Sequence, residues 1–164
     1  MLQLTKRGDY GVLAVYHIAQ WSQGTFISID EIAAKSHIPR PYLSKILQDL
    51  CRSGILKSRR GYGGGFMLAL APQTITLRDI LHSVEGKHTL VNCSENPVLC
   101  QRSSYCLAAP FWNEVQNFLD ELIASITIAD LVEPKKRHAL LEQLQRSRAQ
   151  YHRNIESSTP SSSN

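Results

Sequence analysis

Apolar side chains at Tyr10, Leu13, Ala14, Ile18 and Trp21 recur at spacings of three and four, which predicts an amphipathic helix over residues 6–21 with Thr5 as its cap. Gly24 breaks that pattern. Ser28 and Glu31 then form an S-x-x-E capping box ahead of a short helix at about 29–36, which ends at the stretch SHIPR. Pro41 suits the first turn of another helix, where its missing N–H would have no partner in any case. Leu43, Ile46, Leu47 and Leu50 give that helix, 41–53, a single apolar face, and Gly54 stands where a helix commonly stops. Two helices joined by a tight turn make a helix-turn-helix.

The polar face of the second helix holds Ser44, Lys45, Gln48 and Arg52, with Arg40 and Pro41 at its start. Short polar, amide and cationic groups of this kind match base edges and phosphates, although a solvated surface needs the same composition. The run ILKSRRGYGGGFMLAL follows: two strand-like segments around a glycine-rich turn that carries Arg59 and Arg60. It is neither a G-x-G-x-x-G opening a helix nor a phosphate loop ending in Lys-Ser/Thr. Directly after a helix-turn-helix it reads as a wing, and an arginine on a wing can enter the minor groove.

Beyond the wing, Thr76, Asp79 and Gly86 bound a helix at about 77–85. From about Ser104 a long helix carries the stripe Phe111, Val115, Phe118, Leu119, Leu122 and Ile126. Such a stripe serves equally as core packing or as the seam of a homodimer. A capped short helix, TIADLVEP, and a basic helix-prone segment with a Glu142–Arg146 pair come next, and IESSTPSSSN reads as a disordered tail. The expected fold is therefore mainly α with a small β wing. It divides into a winged helix-turn-helix at 1–75, a cysteine loop and dimerisation helix at 76–132, a basic C-terminal helix at 133–152 and a tail at 153–164.

Charge sharpens this picture. The 164 residues carry 18 Lys and Arg against 14 Asp and Glu, but unevenly. Residues 1–75 hold nine cations and four anions, residues 76–132 three and seven, and residues 133–164 six and three. A basic N-terminal half suits a polyanion. No run of about 18 apolar residues is present, so no membrane span is expected. The N-terminus lacks a small-residue cleavage site, which points to the cytoplasm, where clustered cysteines more often bind metal than pair as disulfides. No Ser/His/Asp set, carboxylate pair or nucleotide loop stands out, so an enzyme is not expected.

Three of the four cysteines, Cys93, Cys100 and Cys106, fall within NCSENPVLCQRSSYC. Their spacing is wider than the knuckles of structural zinc sites. Thiolates with six and five residues between them on one loop can converge on an iron–sulfur cluster, which accepts a non-cysteine fourth ligand. Unrelated loop cysteines, or a redox pair with one left over, remain open on spacing alone. Cys51, alone near the apolar side of the second helix, reads as a small buried hydrophobe.

Residues 2–132 resemble the Rrf2 family of bacterial winged-helix regulators, in particular its IscR- and NsrR-type members. The resemblance rests on LTKRGDYGVLAV, IPRPYLSKILQDLCRSGILKSRRGYGGGFML, ITLRDILHSVEG, the three cysteines and the close FW…ITIADLV. It implies a homodimeric regulator of transcription, with repression as the expected mode, that binds double-stranded DNA at a palindromic site. The helix at 41–53 would be the recognition helix, Arg60 the minor-groove arginine, and the long helix the dimer interface. A cluster, 2Fe–2S or 4Fe–4S, would sit on the three cysteines. IscR-type relatives have a histidine three positions after the last cysteine, where this chain has Ala109. NsrR-type relatives use an acidic residue from the partner chain, and Asp9 stands at the matching position. Ser44 replaces the glutamate of IscR-type members, so the DNA sequence read would differ. The alternative is a cluster-free regulator, or a zinc-stabilised adaptor, that senses a partner protein.

Overall fold

A computed structural model describes residues 4–21, 24–87, 89–90 and 106–158. Helix α1 spans Lys6–Ala19, α2 Ile29–Ser36 and α3 Arg40–Arg52; strands β1, Leu56–Arg59, and β2, Gly65–Leu68, form the wing. A 3₁₀ turn at Pro72–Thr74 leads to α4, Leu77–Glu85. Helices α5, Ala109–Ser125, α6, Ile128–Val132, and α7, Pro134–Ser158, complete the chain. The mainly helical class with a two-stranded wing is as the hydrophobic pattern predicts.

The helix starts are made by side chains. Thr5 accepts from the amides of Arg7 and Gly8, and Ser28, Thr76 and Thr127 each close a full capping box with Glu31, Asp79 and Asp130. The hydroxyls of Ser28 and Thr127 hold the Glu31 and Asp130 carboxyls below their usual range. Helix α3 ends as its sequence suggests: Gly54 takes φ 78°, and the Ile55 amide reaches back to the Leu50 carbonyl at 3.0 Å.

One core joins α1 to α4, β1 and α6. Ala14, Val15, Ile18, Ile32, Leu43, Ile46, Leu47, Leu50, Ile55, Ile75, Ile80, Val84 and Ile128 are all buried in it. Each large aliphatic side chain there contributes about 1.5–3 kcal/mol by leaving water. On α1 the buried positions are Gly8, Gly11, Ala14, Val15 and Ile18, while Tyr10, Leu13 and Trp21 pack at the edge. Helix periodicity alone overrates the aromatic residues, because the close approach of α4 selects glycine: a Cβ at Gly11 would lie 3.2 Å from Val84.

Helix α5 begins at Ala109 with Pro110 in its first turn, and residues 91–105, including the expected start near 104, lie outside the described set. Helix α7 continues to Ser158, beyond the 152 expected from its pattern, since no breaker precedes Pro160. Its Arg146 and His138 flank Glu142 at 3.3 and 3.2 Å.

Candidate nucleic-acid interface

Helices α2 and α3 are separated by His37, Ile38 and Pro39. His37 adopts φ 55° at the end of α2, which turns the chain sharply, and buried Ile38 fastens the turn to the core. Because Leu43, Ile46, Leu47 and Leu50 face inward, Arg40, Pro41, Tyr42, Lys45 and Gln48 are left exposed, with Ser44 half-buried between them. No side chain caps the start of α3 and no acid lies in its first turn. The positive end of its dipole therefore faces outward beside Arg40, an arrangement suited to a phosphate. Arg40 pairs with Asp30 at 2.8 Å, but both groups are well exposed and the pair is easily exchanged.

Asp49 holds this helix in place. It is buried on α3 and accepts from Arg7 of α1 and Arg52 of its own helix. Arg52, counted on the outward face by its spacing, is thus turned back along α3. At the other end of α1, Lys35 lies over the Trp21 ring at 4.3 Å. Burial, with the Lys35 charge adding to it, holds the neighbouring His17 imidazole below its ordinary value of 6.5.

The wing is an antiparallel pair in the register Leu56↔Leu68, Lys57↔Met67, Ser58↔Phe66, Arg59↔Gly65. Ile27 extends it by one bridge, exchanging both backbone hydrogen bonds with Phe66 at 2.9 and 2.8 Å. At the tip, Tyr62 is fully exposed. Arg60 is exposed too and makes no hydrogen bond or ion pair among the described residues. Arg59 is engaged: its guanidinium lies 4.3 Å over the Phe26 ring and donates to the Gly63 carbonyl at 2.6 Å. The exposed Tyr42 and Tyr62 hydroxyls were not among the residues expected to touch nucleic acid. An aromatic residue between glycines in a turn, with no core to enter, is the signal that could have found Tyr62.

The metal-ligand candidates divide. Cys93 and Cys100 lie outside the described residues. Cys106 is half-buried just ahead of α5, and Asp9 is exposed in the first turn of α1. Among the described residues no group of three or more His, Cys, Asp or Glu side chains assembles. Cys51 is half-buried, with its thiol pushed up by burial and bonded to Ser58, as suits a structural cysteine. The Gly8 amide donates to Glu85 at 2.9 Å, so the exit of α4 toward the cysteine segment lies against the turn of α1 that bears Asp9.

Among solved structures the fold is similar to CymR, titled the global cysteine regulator of B. subtilis, with TM-score 0.67 and 26% identity over 80% of this chain and 97% of that one. It is also similar to T. potens IscR, with TM-score 0.64 and 29% identity over 80% and 86%. In sequence the chain is 32% identical over 133 residues to an HTH-type transcriptional regulator of Haemophilus influenzae, covering 80% of this chain and 87% of that protein. It is 30% identical over 131 residues to protein rrf2 of Nitratidesulfovibrio vulgaris, with the same coverage. The profile of the Rrf2 family, described as iron-dependent transcriptional regulators, matches residues 4–134. No helix among the described residues is long and apolar enough to cross a membrane. With a helix-turn-helix whose polar face is free and a glycine-built wing beside it, this chain belongs to the Rrf2 family of winged-helix, DNA-binding transcriptional regulators and is not an enzyme.

Proposed function

We propose that the chain acts as a homodimer on a palindromic DNA site, one winged helix-turn-helix per half-site, as a repressor controlled by an iron–sulfur cluster. The observation that carries the DNA half is the uncapped, acid-free start of α3 beside Arg40, Pro41, Ser44, Lys45 and Gln48, with Arg60 unengaged on the wing next to it. Arg60 would enter the minor groove and α3 the major groove.

Helix α5 supports the dimer. None of its residues is buried within one chain, and Phe111 and Phe118 are more than half exposed, with Leu107 fully exposed just before it. An apolar face of that size is seldom left to water. A second copy laid across it would cover both helices by symmetry.

The donor set fits a cluster. Three thiolates, from Cys93, Cys100 and Cys106, are soft ligands for iron, and the partner's Asp9 would add a hard, labile fourth. Asp9 is exposed, as a group offered to another chain must be. When bound, the cluster would supply a redox- and oxygen-sensitive centre. The chain's own part is the Gly8–Glu85 contact, through which a shift of the cysteine segment would reach α1 and, by Arg7 and Asp49, the recognition helix. Two arrangements of that path, differing in DNA affinity, would give a population-shift switch.

The test is the visible spectrum with iron and sulfide assays on protein purified without oxygen, wild type beside Asp9→Ala and Cys100→Ser. Iron and sulfide in the wild type, with loss in both variants, supports the reading. Zinc or no metal in the wild type would replace it by the cluster-free regulator.

A further inference from the structure

Arg59 and Arg60 are neighbours in sequence with opposite surroundings. Arg59 spans the wing from its outer strand: it pairs across β1–β2 with Gly65, which has no side chain in the way, and reaches Phe26 on the far side of β2. The same guanidinium donates to the Gly63 carbonyl inside the turn. The turn is tightened from within as well, by the Gly64 amide donating to the Gly61 carbonyl at 2.9 Å. There is no slack in this packing. A Cβ at Gly64 would stand 2.4 Å from the Arg59 carbonyl oxygen, and one at Gly65 would stand 2.1 Å from that of Ile27. Arg60, next along the chain, is exposed and without a polar partner among the described residues.

We propose that Phe26 and Arg59 form a clamp that fixes the pose of the wing turn, so that Arg59 acts on DNA through Arg60 and does not itself touch the duplex. The physical reason is pre-organisation. A glycine-rich turn left to itself samples many shapes, and ordering it on binding would weaken affinity. A cation over a ring face, with one N–H on the turn carbonyl, holds the turn before DNA arrives. Phe26 and Arg59 are then positioning residues. The inference rests on Arg60 reading DNA, and the test separates the two ideas.

The duplex for the test is one selected from a random pool by the wild-type protein, and affinity is followed by fluorescence anisotropy. Phe26→Ala and Arg59→Gln are each expected to weaken binding about tenfold, while Phe26→Trp, which keeps a ring under the cation, stays within about twofold. The loss from Phe26→Ala should largely vanish in an Arg60→Ala background, because a clamp that acts through Arg60 has nothing left to position. A loss that persists undiminished without Arg60, or a Phe26→Ala variant that binds as wild type, overturns the clamp. Hydrogen exchange of the free proteins gives a reading without DNA: the Gly64 amide should exchange faster in Phe26→Ala than in the wild type, with the amides of α1 and α4 unchanged. Equal exchange at Gly64 also overturns the clamp. An Arg60→Ala variant that binds as tightly as wild type, with exchange at Gly64 still raised by Phe26→Ala, overturns the role of Arg60 and leaves a purely structural clamp.

Discussion

The backbone amide of Gly8 donates to the carboxylate of Glu85 across 2.9 Å, tying the first turn of α1 to the last turn of α4. Glycine leaves room for this approach, since a Cβ at position 8 would lie 2.9 Å from the Glu85 carboxyl carbon and push that side chain aside. The carboxylate also sits at the positive end of α1, where a negative charge is favoured. Glu85→Ala removes a charge-assisted bond to a part-buried amide and is expected to lower stability by about 1.5–3 kcal/mol. Urea unfolding measures it, and a midpoint equal to wild type would contradict the account.

Asp49 gives a second prediction. Replacing it by Ala removes the acceptor for both Arg7 and Arg52 and leaves Arg7, whose Nε is already buried without a partner, with no anion beside it. Both arginines keep some contact with water, so the cost falls below that of a fully buried pair, at about 2 kcal/mol. DNA binding should weaken as well, because α3 loses its tie to α1. Thermal melting and a DNA titration on the same sample test both halves.

His17 predicts a pH dependence. Its folded pKa is lowered by burial and by Lys35, so the unfolded chain binds the proton more readily. Stability should then rise with pH from the depressed folded value up to the unfolded value of about 6.5 and be level above it. Melting between pH 7.5 and 5 checks this, with His17→Gln expected to lose less stability on acidification. An identical pH profile for the variant would exclude His17 as the source.

The exposed side of α5 predicts assembly. Phe118→Asp should yield a monomer in light scattering while the circular dichroism of the fold is retained, because Phe118 is not part of the single-chain core. A charge at the centre of an apolar seam has no partner and cannot be desolvated cheaply. A wild type that is already monomeric would remove the seam.

Much of this was legible in the sequence because the signals were local. Thr5, the Ser28–Glu31 box, Pro41, Gly54 and the Thr76–Asp79 box each act within one turn of chain, so they fixed the helix-turn-helix and α4 almost to the residue. The glycines of the wing announced a tight reversal. What the pattern could not show were contacts between elements distant in sequence. Arg59 looked like an outward cation, and Phe26 claims it only once the wing has folded, whereas Arg52 pairs with Asp49 within one turn of its own helix.

The amino-acid sequence by itself determined the elements, their order and the composition of the surface offered to DNA, since capping, periodicity and glycine conformational freedom are properties of short segments. Tertiary structure decided which of the cations are free. Arg7 and Arg59 are held by groups brought from 42 and 33 residues away, while Arg60 is left outward. An ion pair or a cation over a ring forms only where packing sets its two members within a few ångströms, and no stretch of sequence contains that distance.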